Sequence, residues 1–522
     1  MALPQLSNVD YILVLLCLGA VAGVQYMRGQ RRKYPPGPPG WPIIGNIFDM
    51  PSEFHWLTFA QWSKEYNSPI VHANVLGQHV ISLNTNQVVN DLLEKRSNIY
   101  SDRPHAPILQ DFTELGKWAL PFMPHGPEWR IQRKKFHSTF HASTVPSYHP
   151  TEIESTRKLL HQLRDTPERY RDHINSHTGR IILKAVYGYD AKDEGDRYVW
   201  LTEEHFRHIN ERLISKFFLV DIFPSLKHLP AWLPSFPGFN HQWVGSEYRK
   251  VSDELINVPF QDVHNLVKSG DATASIVAQD IEKTLLPDCK LTPAEIEEEY
   301  RHSKNMAATA YPAGQDTTAS LISSIFLALT LHPEMGKRAQ REIDALTNGI
   351  RLPSFEDKAA LPYIQCIVLE ALRWNPAAPT AFTHRVTQDD EYNGLFIPGG
   401  SLIIGNTWAL CHEEAVFPDP DTFNPDRYTR DKDGKASSQE TAVVAAFGYG
   451  RRVCPGRWLA LETAWLTVAQ LLAVYDVKRS IDGSGKEIIP KVKFTHGMTS
   501  HPEDWPCEIV PRSAESIKLL DD

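Results

Sequence analysis

Cys454 stands in "AAFGYGRRVCPGRWLALETAW", Ala445 to Trp465. Gly448 and Gly450 come before it, and Pro455 and Gly456 follow at the start of a helical run. Such glycines let the backbone turn tightly and approach a large flat ligand. Amides at a helix start can donate to a sulfur anion, which lowers the thiol pKa and tunes a metal bound to it. Arg452 adds a cation suited to a carboxylate on that ligand. A second chemical stretch is "ATAYPAGQDTTAS", Ala308 to Ser320, where Asp316 and Thr317 sit among small apolar residues. An unpaired carboxylate there is costly. Pro312 removes a helix hydrogen bond to the Ala308 carbonyl, and Gly314 follows it. Two readings stand: a tolerated kink with Asp316 satisfied by a neighbour, or an opened helix presenting a proton donor over a reaction centre.

The element carrying this second stretch has clear ends. In "LTPAEIEEE", Thr292 is the predicted cap, Pro293 occupies the first turn and Glu295 completes a capping box. Pro333 stops the helix, giving roughly 60 Å at the standard rise. Helical spacing puts Met306, Ala310, Ala313 and Thr317 on one face. In "WRIQR", Trp129 and Arg133 share a face; in "EALR", Glu370 and Arg373 are placed to pair. His137 and His141 have zinc-like spacing but lack an HExxH glutamate and a third ligand, so a zinc enzyme is rejected.

Phe447, Gly450, Arg452, Cys454 and Gly456 together resemble the haem-binding loop of the cytochromes P-450, the haem-thiolate monooxygenases. The resemblance runs from about Pro35 to the C-terminus and is strongest toward fungal microsomal members of specialised metabolism. It implies a mainly α fold with a smaller β portion (α+β), one large haem-thiolate domain with a long central helix over the haem. The cofactor implied is heme b, its iron held by the Cys454 thiolate, which pushes electron density toward oxygen. "AGQDTT" resembles the oxygen-activation motif, with Thr317 assisting and Asp316 relaying protons. Trp129 and Arg133 match the pair that contacts one haem propionate; His384 or Arg385 in "FTHRV" matches the position that reaches the other. Arg427 in "FNPDRY" resembles the third member of a structural network with Glu370 and Arg373. Pro312 departs from the family pattern, which would place a small or apolar residue there.

No flavin or nicotinamide motif is visible, so the resemblance implies O2 as co-substrate and NADPH electrons from a separate NADPH-cytochrome reductase. Arg130, Arg133, Lys134 and Lys135 are the expected docking cations. Met306, Ala310, Ala313, Phe112, Trp118, Phe122 and Met498 are expected pocket walls for a lipophilic substrate. A terpenoid leads and an aromatic or indole amine follows, both on resemblance alone. The rival chemistries are a haem-thiolate isomerase or dehydratase needing no external electrons, and a non-catalytic haem sensor.

The whole chain, 522 residues with 42% hydrophobic, is ample for a large core. Its net charge of -9 argues against a nucleic-acid partner. Six cysteines without a CxxC pair read as single thiols. Residues 1–33 read as an anchor: residues 11–27 carry no charge and the basic Arg28, Arg31, Arg32 and Lys33 follow. That asymmetry favours an uncleaved, single-pass anchor in the endoplasmic reticulum membrane with the catalytic domain cytosolic. "YPPGPPGWPIIGN", residues 34–46, reads as a stiff linker, and residues 47–522 as the catalytic domain. "FPSLKHLPAWLPSFPGF" is a candidate second contact with the lipid bilayer.

Overall fold

The computed structural model describes residues 32–193, 195–214, 218–228, 240–429 and 437–521. Its longer helices are α1 (His55–Glu65), α2 (Pro127–Phe140), α3 (His149–Asp165), α4 (Tyr170–Tyr187), α5 (Arg197–His208), α6 (His241–Ser269), α7 (Ile276–Leu285), α8 (Pro293–Leu331), α9 (Pro333–Thr347), α10 (Pro362–Trp374) and α11 (Arg457–Val474). Among the described residues, eight short strands complete a mainly helical α+β fold, as expected.

α8 starts where its residues demand. The Thr292 hydroxyl accepts from Glu295 N, and the Glu295 carboxylate accepts from Thr292 N at 2.7 Å. From His302 onward the helix is largely buried. Met306, Ala307, Ala308, Ala310 and Tyr311 belong to a core shared with α2, α4, α5, α6 and α7. Ala319, Leu321, Ile322 and Ile325 to Leu329 belong to a second core with α9, α10 and α11. The stretch between these cores, 312–318, is therefore held at both ends while part of it faces open space.

The helix runs without interruption through Pro312. A proline inside a helix costs about 3 kcal/mol, and packing on both sides of Pro312 offsets that cost. Gly314 has a packing role: a Cβ there would lie 2.7 Å from Ile182 Cδ1. It lets α8 and α4 approach closely.

The main sheet has the order β1 (Ile70–Val75), β2 (Gln78–Leu83), β6 (Leu402–Gly405), β3 (His384–Arg385). β1 and β2 pair antiparallel around a turn at Leu76 and Gly77, both at positive φ. β2 runs parallel to β6, and β3 pairs antiparallel with β6 so that His384 opposes Ile403. Two small pairs, β4 (Asp390–Tyr392) with β5 (Leu395–Ile397) and β7 (Tyr475–Arg479) with β8 (Cys507–Pro511), complete the strands.

The proline-rich segment is fastened to the sheet. His72 N donates to Pro36 O at 2.9 Å, and Tyr34 stacks on His72 and His79. Among the described residues no helix is long and apolar enough to cross a membrane. The anchor expected at 11–27 lies outside them, as do Leu229 to Phe239 of the second candidate membrane contact.

Candidate active site

Cys454 is reached by a loop with no slack. Its amide donates to Phe447 O at 2.7 Å, and Gly448 has φ +84°. Gly450, at φ +53°, presses against the Leu93 carbonyl, where a Cβ would sit 2.3 Å away. Its amide donates to the Glu94 carboxylate at 2.6 Å. The loop is thereby tied to the segment before Ser97, and α11 begins three residues after the cysteine.

The thiol of Cys454 borders a cavity of about 290 Å³. Burial raises its pKa; the Gly456 amide, Arg133, Arg457 and the Arg457 amide act in the opposite direction without prevailing. The helix-start amides act in the lowering direction expected from sequence, against a larger effect of burial. A soft metal ion at this sulfur would displace the proton, and those amides and cations would then stabilise the thiolate.

Three guanidinium groups share the wall with the cysteine. Arg452 lies over the Trp129 ring, 4.3 Å from its centroid, and donates to the carbonyls of Ser101 and Met123 at 2.9 Å. Arg103 donates to the carbonyls of Pro121, Phe382 and Thr383. Arg133 reaches the same wall from α2. Burial, with Arg452 beside it, pushes Arg103 well below the usual guanidinium range. Burial also takes Arg452 down to about 9 and lowers Arg133. Positive charge gathered in a buried wall is what an anionic ligand would relieve.

His384 is buried in that wall, with Nδ1 2.7 Å from Tyr100 O. Its neighbour Arg385 turns to the Asp102 carboxylate at 3.1 Å and lies outside the cavity wall. Of the two alternatives, the wall takes His384. A sulfur ligand, carboxylate-seeking cations and apolar walls in one cavity fit a haem, whose iron and propionates need those partners.

α8 closes the other side through Ala308, Thr309, Ala310, Pro312, Ala313, Gly314, Thr317 and Thr318. The Thr317 hydroxyl donates to Ala313 O at 2.7 Å. Asp316 is not in the wall: its Oδ1 is 3.1 Å from His501 Nε2, and its Oδ2 is buried without a partner.

Beneath this, Glu370 and Arg373 form a fully buried, two-pronged pair at 2.8 Å. Arg427 Nε reaches Glu370 Oε1 at 3.2 Å, and Arg373 also donates to the carbonyls of Cys411 and Pro420. The three residues form one network.

The cavity wall includes Trp129, Phe447, Gly456, Ala310, Ala313, Trp118, Phe122 and Met498. Two expected wall residues are elsewhere. Met306 is wholly buried in the core, and Phe112 stacks edge-on against His241 beside Gly245. Of the docking cations, Arg133 points into the wall and Lys135 pairs with Asp280 at 2.6 Å, leaving Arg130 and Lys134 exposed. His137 and His141 touch edge to face, 4.8 Å apart.

Arg103 and His205 were missed. His205 lies on the buried stripe Leu201, Thr202, His205, His208 of α5, a spacing that reads as ordinary core.

The cytochrome P450 family model matches residues 35–502. A cytochrome P450 monooxygenase of Armillaria gallica is 36% identical over 99% of this chain and 99% of its own length. Another, of Rhodocybe pseudopiperita, is 36% identical over 98% of this chain and 97% of its own. A tryptamine 4-monooxygenase of Psilocybe cyanescens is 36% identical over 98% of this chain and 100% of its own.

Proposed function

The chain belongs to the cytochrome P450 family and is a haem monooxygenase; we propose that it oxidises a neutral, lipophilic small molecule in fungal specialised metabolism. Cys454 would hold the haem iron, and Arg103, Arg133, Arg452 and His384, with Trp129, would hold its carboxylates. Bound haem supplies reductive activation of O2, with NADPH electrons arriving from a separate reductase. The chain's own contribution is to bind and dry the substrate, and to bring protons to the Thr317 hydroxyl. We assign the catalytic parts to Thr317 and Asp316, and reductase docking to the exposed Arg130 and Lys134. We retain a single-pass anchor in the endoplasmic reticulum membrane from the charge pattern around residues 11–27.

The wall's composition carries the substrate reading. Among the described residues, no Asp or Glu lines the cavity. An ammonium ion brought into it would find no carboxylate partner, and burying an unpaired charge is costly. That favours a terpenoid-like scaffold over a tryptamine-like amine. An isomerase or dehydratase would need no proton delivery, so Thr317 in the wall favours the monooxygenase.

Oxygen consumption should require NADPH and reductase; activity on a hydroperoxide without reductase would overturn the reading. Thr317→Ala should keep the haem and its carbon monoxide spectrum while losing product to peroxide. Metabolite profiling of a deletion strain would name the substrate.

A further inference from the structure

Most polar side chains in the cavity wall are already committed. The hydroxyls of Thr178, Thr309, Thr317 and Thr463 each donate within the protein. The guanidiniums belong to the carboxylate-seeking cluster described above. His205 is not among these. It lies in the wall contributed by α5 and is 5% exposed.

Its Nδ1 lies 3.3 Å from the Tyr248 hydroxyl. Tyr248 is fully buried, and burial pushes its ionisation well up, so the phenol keeps its proton. His205 Nδ1 is its partner among the described residues. A phenol with one nitrogen partner donates to it, which fixes the tautomer: Nδ1 accepts, and Nε2 carries the hydrogen. Nε2 has no partner among the described residues. Burial, with His208 nearby, takes the ring's pKa down to about 3, so the imidazole is neutral at physiological pH.

Trp118 stands next to it, the two ring centroids 5.9 Å apart. Trp118 also lines the cavity, and its indole N–H is buried with no acceptor. Two N–H groups lacking acceptors on neighbouring rings of the wall leave a cost that a ligand oxygen would remove.

We propose that His205, with Trp118 beside it, is a substrate-orienting subsite that takes a neutral acceptor oxygen, a carbonyl or hydroxyl on a lipophilic scaffold. This rests on the monooxygenase reading and deepens it. The substrate class becomes an already oxygenated terpenoid-like molecule, so the reaction that supplies it is itself an oxygenation or hydration.

The test uses the haem-loaded protein and a matched pair of probes, the sesquiterpene valencene and its ketone nootkatone. Each is titrated against the haem absorption band. The wild-type protein should bind the ketone roughly two- to tenfold more tightly, the range of one net hydrogen bond. His205→Phe should abolish the preference, read as the ratio of the two affinities, and His205→Gln, which keeps a donor, should restore part of it. Tyr248→Phe, which frees the tautomer, should weaken the preference without affecting valencene. A preference that survives in His205→Phe overturns the proposal, as does equal affinity or no binding of both probes by the wild type. Failure of the underlying reading is separate: it would show as absent NADPH-dependent oxygen uptake in protein that still holds haem.

Discussion

Asp316 Oδ1 lies 3.1 Å from His501 Nε2, and this pairing turns the carboxylate away from the cavity that Thr317 lines. Both side chains of the pair are 22% exposed, so they stand between solvent and the buried helix. A proton moving inward would meet His501 and Asp316 before Thr317. His501→Ala should therefore slow product formation by about tenfold or more, within the usual range for a positioned acid or base. Haem content should hold, and the solvent isotope effect on turnover should change. Unchanged turnover and isotope effect would leave His501 as a packing residue only.

Pro312 presents a different trade. Its ring is in the cavity wall, and it cannot donate to Ala308 O. Pro312→Ala should raise stability by up to about 3 kcal/mol, the usual penalty for a proline inside a helix. Thermal denaturation of the haem-loaded protein measures that gain. If the proline also shapes the pocket, product per NADPH should fall in the same variant. An unchanged product pattern would make it a tolerated kink.

The local features were legible in the sequence and the three-dimensional choices were not. The Thr292–Glu295 capping box and the Glu370–Arg373 pair are set by spacing of three on a helix, and both form. Helical spacing also put Met306 on the face of Ala310, but a face can be shared between core and cavity along its length. Met306 falls on the core side. Asp316 and Thr317 are consecutive, so a helix turns them about 100° apart; one faces the cavity and the other His501. His384 and Arg385 likewise alternate across a strand, and the pairing of β3 with β6 decides which is buried. His205 was hidden because only its surroundings in space, Trp118 and Tyr248, mark it out from a core histidine.

The Glu370 network should behave as structure rather than catalysis. Glu370 and Arg373 have fully buried side chains, and Arg427 is nearly so. Removing one partner leaves a buried charge uncompensated, which costs about 3–5 kcal/mol. Glu370→Ala should lower the urea midpoint accordingly and reduce the fraction of protein that takes up haem. Protein that does load should retain the thiolate-type carbon monoxide spectrum. Wild-type stability with impaired catalysis would contradict the structural role.

Glu152 supplies a pH dependence that can be read directly. It is fully buried on α3, Oε1 accepts from the Thr463 hydroxyl at 2.7 Å, and Oε2 has no partner. Burial, aided by Glu462, raises its pKa from 4.5 to about 8. Below 4.5 the group is protonated in folded and unfolded chains alike, so it adds no difference. Between 4.5 and about 8 the folded protein holds the extra proton, and stability falls as pH rises. Each pKa unit is worth about 1.4 kcal/mol, which puts the total on the order of 5 kcal/mol. Glu152→Gln retains an acceptor for Thr463 and removes the titration. Its urea stability should match wild type near pH 4.5 and exceed it progressively toward pH 8. Parallel stability curves for the two proteins across that range would mean the folded chain does not hold the proton on Glu152.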